Sequence, residues 1–195
     1  MVFLGSSRND WLSWPLAFGL AIICLPTMVA LALVVFFSDG RPIFFVSERV
    51  GAGNVNFKLY KFRTMKEGTP LLSTAEMPKA HDYYILFGRT LRKYSLDELP
   101  LLWNVLKGDM TLVGPRPCLP TESELIELRN QARISVMKPG ISGLAQISGG
   151  DSLSVDEKVA IEDFYLKNKS VCLDLKIILL TIVFVLGVNV RAWVR

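Results

Sequence analysis

From Tyr94 to Pro117 the chain reads Tyr-Ser-Leu-Asp-Glu-Leu-Pro-Leu-Leu-Trp-Asn-Val-Leu-Lys-Gly-Asp-Met-Thr-Leu-Val-Gly-Pro-Arg-Pro, and the side chains best suited to chemistry stand there. Asp97 and Glu98 are consecutive carboxylates. Alone they have an ordinary explanation. Acids in a helix's first turn complement its positive end by roughly 0.3–1 kcal/mol, and Ser95 with Glu98 has the spacing of a capping box. The residues that follow change the reading. Gly114-Pro115-Arg116-Pro117 sets an arginine between two prolines. Each ring fixes its own φ and restrains the residue before it, so a stiff loop presents one guanidinium. That planar fork suits a phosphate. With Arg89, Arg92 and Lys93 upstream, the combination points to magnesium-assisted phosphoryl chemistry, in which acidic residues and phosphate oxygens share a hard cation.

Positioning these groups requires a helix. Leu96, Leu99, Trp103 and Leu106 recur at helical spacing and predict one buried face, with Lys107-Gly108 closing the C-terminal end. Pro100 falls inside this pattern, removes a backbone donor and predicts a distorted start. Upstream, Phe87–Tyr94 reads as a short basic helix feeding the acidic one. Further upstream the pattern is extended. Pro42–Val46 and Asn56–Arg63 flank the turn cluster Gly51-Ala-Gly-Asn54 and predict a β-hairpin with Phe57, Leu59 and Phe62 on its buried side. Lys58, Lys61 and Arg63 lie in the second strand, where a solvated basic face is the simplest reading. Downstream, Thr121 with Glu124 and Ser154 with Glu157 repeat the capping-box spacing before two helices, the first expected to be exposed and the second spanning 154–168. The polar stretch Lys66–Tyr84 reads as a loop without chemistry.

Composition bounds the answer. The chain has 195 residues, of which 51% are apolar, and a net charge of +4. Cys24, Cys118 and Cys172 form no paired spacing, so neither a disulfide framework nor a zinc site is expected, and Cys118 is read as structural. His81 is the only histidine, which argues against serine or cysteine triads. No nucleic-acid partner is expected. No charged residue interrupts Trp11–Ser38, and this exceeds the ~20 residues a membrane helix needs. It is too long for a signal peptide and lacks a cleavage site. Pro26 near its middle disrupts the backbone bonding, and from the residues alone a spanning helix and a re-entrant one both stand. Basic residues after it favour a cytoplasmic C-terminal side. Leu173–Val190 is a second apolar stretch, charge-free only over 177–190, with Asp174, Lys176, Arg191, Trp193 and Arg195 around it. It is short for a crossing and reads as an amphipathic helix on the membrane or packed on the first segment.

Ser-Leu-Asp-Glu-Leu-Pro, Asn-Val-Leu-Lys-Gly-Asp-Met and Gly-Pro-Arg-Pro together resemble the core of the monotopic phosphoglycosyl transferases, the bacterial sugar transferase family, and the likeness extends from the first apolar segment to near Asp174. The resemblance implies an α/β fold, mostly helical with a small β-hairpin, as a monotopic membrane protein. Residues 1–40 would form a re-entrant helix broken at Pro26, 41–175 a catalytic domain, and 176–195 a membrane-associated helix. The family's break is a Ser-Pro pair, of which Leu25-Pro26 keeps only the proline. The implied reaction moves a sugar phosphate from a UDP-sugar to polyprenyl phosphate at the cytoplasmic face of the bacterial inner membrane. Asp97 would be the nucleophile, Asp97 and Glu98 would meet Mg²⁺, and Lys61, Arg63, Arg92 and Arg116 would contact phosphate or lipid headgroups. Lys138-Pro-Gly-Ile-Ser-Gly-Leu-Ala-Gln146 resembles the family's glycine loop, which raises Lys138 and Gln146 as nucleotide or sugar contacts. Asp163 and Tyr165 fall on an Asp-x-Tyr-like pattern with a weak binding role. Many relatives carry Gly-Arg where Gly149-Gly150-Asp151 stands, which bears on donor choice. The sugar is left open, and a homodimer is compatible with the chain. Two rivals remain. A membrane-anchored adaptor binding anionic lipid would use the same basic and acidic surfaces without catalysis, and a polytopic lipid phosphotransferase would need more spans than the chain offers.

Overall fold

A computed structural model describes residues 10–69, 83–188 and 190. Most of the polar stretch 66–84, with His81, and the flanking Arg191, Trp193 and Arg195 lie outside them. The described residues form helices and two small sheets. Helix α1 (Asp10–Asp39) carries the apolar segment and is continuous through Pro15 and Pro26. Its stretch Ser13–Asp39 has a mean hydropathy of 2.8, is little buried apart from residues such as Ala17, Leu31 and Val35, and is long and apolar enough to cross a membrane. Strands β1 (Phe44–Val50) and β2 (Asn56–Phe62) form the antiparallel hairpin, in register from Phe44 opposite Phe62 to Val50 opposite Asn56.

Phe57 and Leu59 face one core, as the pattern predicts. Phe62 does not join them. Side chains alternate along a strand, so Phe62 points to the other side, where it packs with Leu31, Val35 and Leu91 and stacks on Phe44. The second face of β2 is therefore covered at its Phe62 end, while Asn56 and Lys58 on the same side stay exposed.

Helix α2 (Gly88–Lys93) is the short basic helix, and a 3₁₀ turn at Leu96–Glu98 carries the acidic pair into α3 (Leu101–Lys107). The distortion expected from Pro100 is present, since Pro100 caps α3 and the preceding turn is 3₁₀. The buried face differs from the one read off the spacing. Leu101, Leu102 and Val105 are buried, whereas Trp103 is 57% exposed. A 3₁₀ turn advances fewer residues per revolution than an α-helix, so one periodicity cannot run across the junction. Gly108 ends α3 at φ 86, as its position predicts.

A second sheet had no counterpart in the sequence reading. Strand β3 (Thr111–Val113) pairs in parallel with β4 (Gly140–Ser142), and α4 (Ser123–Gln131) lies in the crossover between them. The glycines of this region serve contact between loops. A Cβ on Gly114 would lie 2.6 Å from Lys138 O, and one on Gly140 would collide with the backbone of Gly114. Helices α5 (Leu144–Ser148), α6 (Val155–Asn168) and α7 (Val171–Val185) complete the order. The Ser154–Glu157 capping box at the start of α6 is fully formed. The one proposed at Thr121–Glu124 is not, because Glu122 caps α4 without a side-chain bond, and the Glu122 carboxylate accepts from Leu119 N–H instead. Nor is α4 simply exposed, since Leu125 and Arg129 are buried.

Ile177 and Leu180 seat α7 in the same core as Val105, Ile147 and Ala17 of α1. Its other side carries Leu179, Ile182 and Leu186, all more than half exposed. The helix is thus apolar on both sides, where an amphipathic pattern was expected. At 15 residues it is about 22 Å long, short of the ~30 Å hydrocarbon layer. Cys24, Cys118 and Cys172 are all free, and burial pushes the Cys118 thiol upward, in keeping with a structural role.

Candidate active site

Three elements bring the acidic turn against β2. Asn104 of α3 is fully buried and treats β2 as a neighbouring strand would: its Oδ1 accepts from Tyr60 N–H at 3.2 Å and its Nδ2 donates to Lys58 O at 2.7 Å. This clamp places Lys61, next along the strand, over the acidic turn, and Lys61 Nζ donates to Glu98 Oε1 at 2.6 Å. Arg116 approaches the same oxygen from the loop after β3, with Nη2 at 3.9 Å. Ser95, which precedes the pair, does not cap the turn. It sits in the left-handed region at φ 52 with no side-chain bond, a conformation that costs a non-glycine residue on the order of 1–3 kcal/mol and is typical of functional sites. The capping-box spacing fails because the chain makes a sharp corner where a cap would need extended backbone.

The two acids sit in different environments. Asp97 is 6% exposed, and its Oδ1 has no hydrogen-bond partner. Burial, then the neighbouring Glu98, raises its pKa to about 6, against the opposing pull of Lys61 and Arg92. Burial pushes Glu98 upward too, but Lys61 and then Arg116 outweigh it, and its carboxyl falls below the usual glutamate range. One acid is therefore firmly ionised and paired, and the other is nearly unpartnered and titrates closer to neutrality. A separation of this kind between adjacent carboxylates marks distinct chemical tasks.

Beside Glu98 a shallow open cleft is lined by Arg49, Lys61, Arg116, Pro117, Gly140 and Ile141, among others. Two acids thus face Lys61, Arg92, Arg116 and Arg49, an excess of positive charge suited to a diphosphate. Among the described residues no three His, Cys, Asp or Glu side chains converge on a metal site. A protein-only cage is not what Mg²⁺ usually takes. It binds one or two carboxylates together with substrate phosphates, and the buried unpaired oxygen of Asp97 beside the Glu98 carboxylate offers that donor set.

The family model for bacterial sugar transferases matches residues 8–188. The chain belongs to that family. It is 41% identical over 168 residues to the uncharacterized sugar transferase EpsL of Bacillus subtilis (strain 168), covering 83% of this chain and 79% of that one. It is 36% identical over 163 residues to the UDP-N-acetylgalactosamine-undecaprenyl-phosphate N-acetylgalactosaminephosphotransferase of Aeromonas hydrophila. It is 37% identical over 180 residues to the UDP-glucose:undecaprenyl-phosphate glucose-1-phosphate transferase of Xanthomonas campestris pv. campestris. These two matches cover 80% and 86% of this chain but only 38% and 37% of the longer relatives. The sugar transferase assignment makes the chain an enzyme of the phosphoglycosyl transferase kind and sets aside the adaptor reading. The apolar α1 of this sugar transferase accords with membrane association.

Within the sugar transferase the residues singled out from sequence do not all converge. Asp97, Glu98, Lys61, Arg92 and Arg116 do; Arg92 acts electrostatically on both acids while its Nη1 reaches Met65 Sδ at 3.6 Å. Arg63 does not join them. It is 6% exposed, pairs with Asp39 Oδ2 at 3.2 Å and donates to Asp39 O at 2.7 Å, so it secures the C-terminal end of α1. Lys138 lies beside Gly108 at the end of α3. Gln146 turns inward, its Nε2 donating to Ile141 O at 3.1 Å, and so supports the cleft wall from behind. Asp163 pairs with Lys167, and Tyr165 is buried with its hydroxyl donating to Asp174 at 2.6 Å, so both serve the fold.

Sequence reasoning missed Arg49 and Asn104. Arg49 stands in the cleft, where burial and then Arg116 lower its pKa. Its signal was its place opposite Phe57, on the hairpin face that also carries Lys61. Asn104 had a weaker one, a polar residue at a helix position flanked by apolar ones.

Proposed function

We propose that this sugar transferase moves a sugar 1-phosphate from a UDP-sugar to polyprenyl phosphate in two steps through Asp97. The observation that carries the proposal is the buried, unpartnered oxygen of Asp97 next in the chain to Glu98, which lines a cleft together with Arg49, Lys61 and Arg116. An Asp97 oxygen attacks the β-phosphorus, forming an acyl phosphate bond to the phosphosugar. The bond from that phosphorus to the bridging oxygen breaks, and the oxygen leaves on UMP. A phosphate oxygen of the polyprenyl acceptor then attacks the same phosphorus, and Asp97 departs as free carboxylate. Splitting the transfer admits two anionic substrates in turn. Arg116, Arg92 and Arg49 bind the phosphate oxygens in this scheme. Lys61 keeps Glu98 ionised and fixed. Asp97 and Glu98 would hold Mg²⁺, which supplies charge neutralisation to the diphosphate.

The test is intact-protein mass after incubation with Mg²⁺ and a panel of UDP-sugars in the absence of lipid acceptor. A gain of one phosphosugar, absent in Asp97→Asn, is expected for at least one donor. UMP release that occurs only with acceptor present and without any adduct would replace the two-step route with direct transfer.

The same proposal places the enzyme on the cytoplasmic face of the inner membrane, with α1 dipping into one leaflet and returning, and Pro26 at its bend. Support comes from the two ends of α1, which dock on the same body. Near one end Trp14 Nε1 donates to Leu106 O at 3.2 Å, and near the other Ser38 Oγ donates to Leu86 O at 3.3 Å. A perpendicular crossing would set those ends about 30 Å apart on opposite sides of the bilayer. A cysteine at position 3 is therefore expected to resist an impermeant thiol reagent in intact cells. Labelling from the periplasm would mean a crossing.

A further inference from the structure

Four consecutive carbonyls of the arginine loop accept hydrogen bonds from three elements, β4, β1 and α4. Gly140 N–H donates to Pro115 O at 2.9 Å and Val50 N–H to Cys118 O at 3.0 Å. Arg49 Nη1 donates to Pro117 O at 3.4 Å, and Arg129 Nη2 to Arg116 O at 3.0 Å. The residue that reaches the cleft is thus held at its own carbonyl by a side chain from α4. Arg129 is in turn gripped from α6, where Glu162 accepts from Nη2 at 2.6 Å and from Nε at 2.8 Å. Arg129 is 8% and Glu162 3% exposed.

A buried ion pair is a poor stabiliser, because desolvation offsets most of the attraction and apolar residues of similar volume often do as well. What an apolar pair cannot do is donate a hydrogen bond in a fixed direction. Nη2 carries two hydrogens, and Glu162 and the Arg116 carbonyl take one each. A lysine has no such fork. Arg116, for its part, has little to aim it at side-chain level. It is half-exposed, and its contact with Glu98 is 3.9 Å long, so its direction is set through its backbone.

We propose that Arg129, braced by Glu162, is a positioning residue that fixes Arg116 for binding a phosphate oxygen. The inference rests on the phosphate role given to Arg116 above. It assigns a task to two buried residues that meet no substrate.

The experiment uses the full chain in lipid nanodiscs and two readouts, inorganic pyrophosphate affinity and kcat/KM for a UDP-sugar. Arg129→Lys is expected to lower both about tenfold, since small misplacements of a binding group have effects of that order or larger. In an Arg116→Ala background the same change should cost less than twofold, because the group being positioned is gone. The double variant Arg129→Met with Glu162→Met keeps a filled, uncharged core, and it should melt near the wild-type temperature yet show the loss seen for Arg129→Lys. Equal factors in both backgrounds would mean general loosening and overturn the inference. So would a folded Met/Met variant with wild-type affinity, or a wild-type protein that binds no pyrophosphate. Pyrophosphate binding with the expected coupling, but no UMP from any donor, would support the positioning role while the proposed reaction failed.

Discussion

Asp97→Asn is expected to lower turnover by at least about 10⁴-fold, the scale of removing a covalent nucleophile, and to raise thermal stability at the same time. The second half follows from the pKa. Burial and Glu98 lift Asp97 from 3.8 to about 6, so the folded chain holds this proton more tightly than the unfolded one. Below the lower value both states are protonated and the site carries no penalty. The penalty grows as pH rises and is complete above about 6, where it amounts to about 3 kcal/mol. Asparagine is neutral and nearly the same shape, so it relieves at most that amount, and at pH 7.5 a Tm several degrees higher is expected. The wild-type rate should also show an acid limb, kcat/KM falling tenfold per pH unit below about 6 as the nucleophile takes its proton. Kinetics and calorimetry on one pair of samples check both halves. Activity within tenfold of wild type in a preparation free of other transferases would remove Asp97 as nucleophile.

The second large effect is expected at Arg116. Arg116→Ala should lower kcat/KM roughly 10²–10³-fold, the range for losing one preorganised charge-stabilising donor, with little change in Tm because the side chain is half-exposed. Arg116→Lys should recover only part of the loss, since an ammonium reproduces the charge and not the bidentate fork. Lys61 still holds Glu98 at 2.6 Å in either variant, so the acidic turn keeps its partner and the defect stays with the substrate. Steady-state rates across UDP-sugar concentrations decide the matter. A change under threefold for the alanine variant would take Arg116 out of the phosphate site.

These two residues were legible before any coordinates because their signals are local. A carboxylate pair in one turn, and an arginine locked by the rings on either side of it, are statements about neighbours in the chain. The same is true of the Gly108 helix end and the Ser154–Glu157 box, which both form as their spacing predicts. Elsewhere identical local logic failed. Ser95 and Thr121 have the capping-box spacing too, yet neither caps: Ser95 sits at a left-handed corner, and Glu122 takes the cap position that Thr121 would need. Phe62 left the face predicted for it because successive side chains of a strand point to opposite sides, so it cannot share a face with Phe57 and Leu59.

The sequence by itself determined the chemical groups, the hairpin, the apolar anchor and the family, since each depends on residue type and short spacing. Tertiary structure alone decided which cations meet the acidic pair. Lys61 meets an acid 37 residues away, Arg63, two residues further on, is diverted to the end of α1, and Arg129 holds the Arg116 backbone only because α6 brings Glu162 beneath it. Ionic contacts of this kind are set by where elements cross. Every lysine and arginine offers the same charge to a reader of the sequence, and the crossing that selects among them is the product of burying two cores at once.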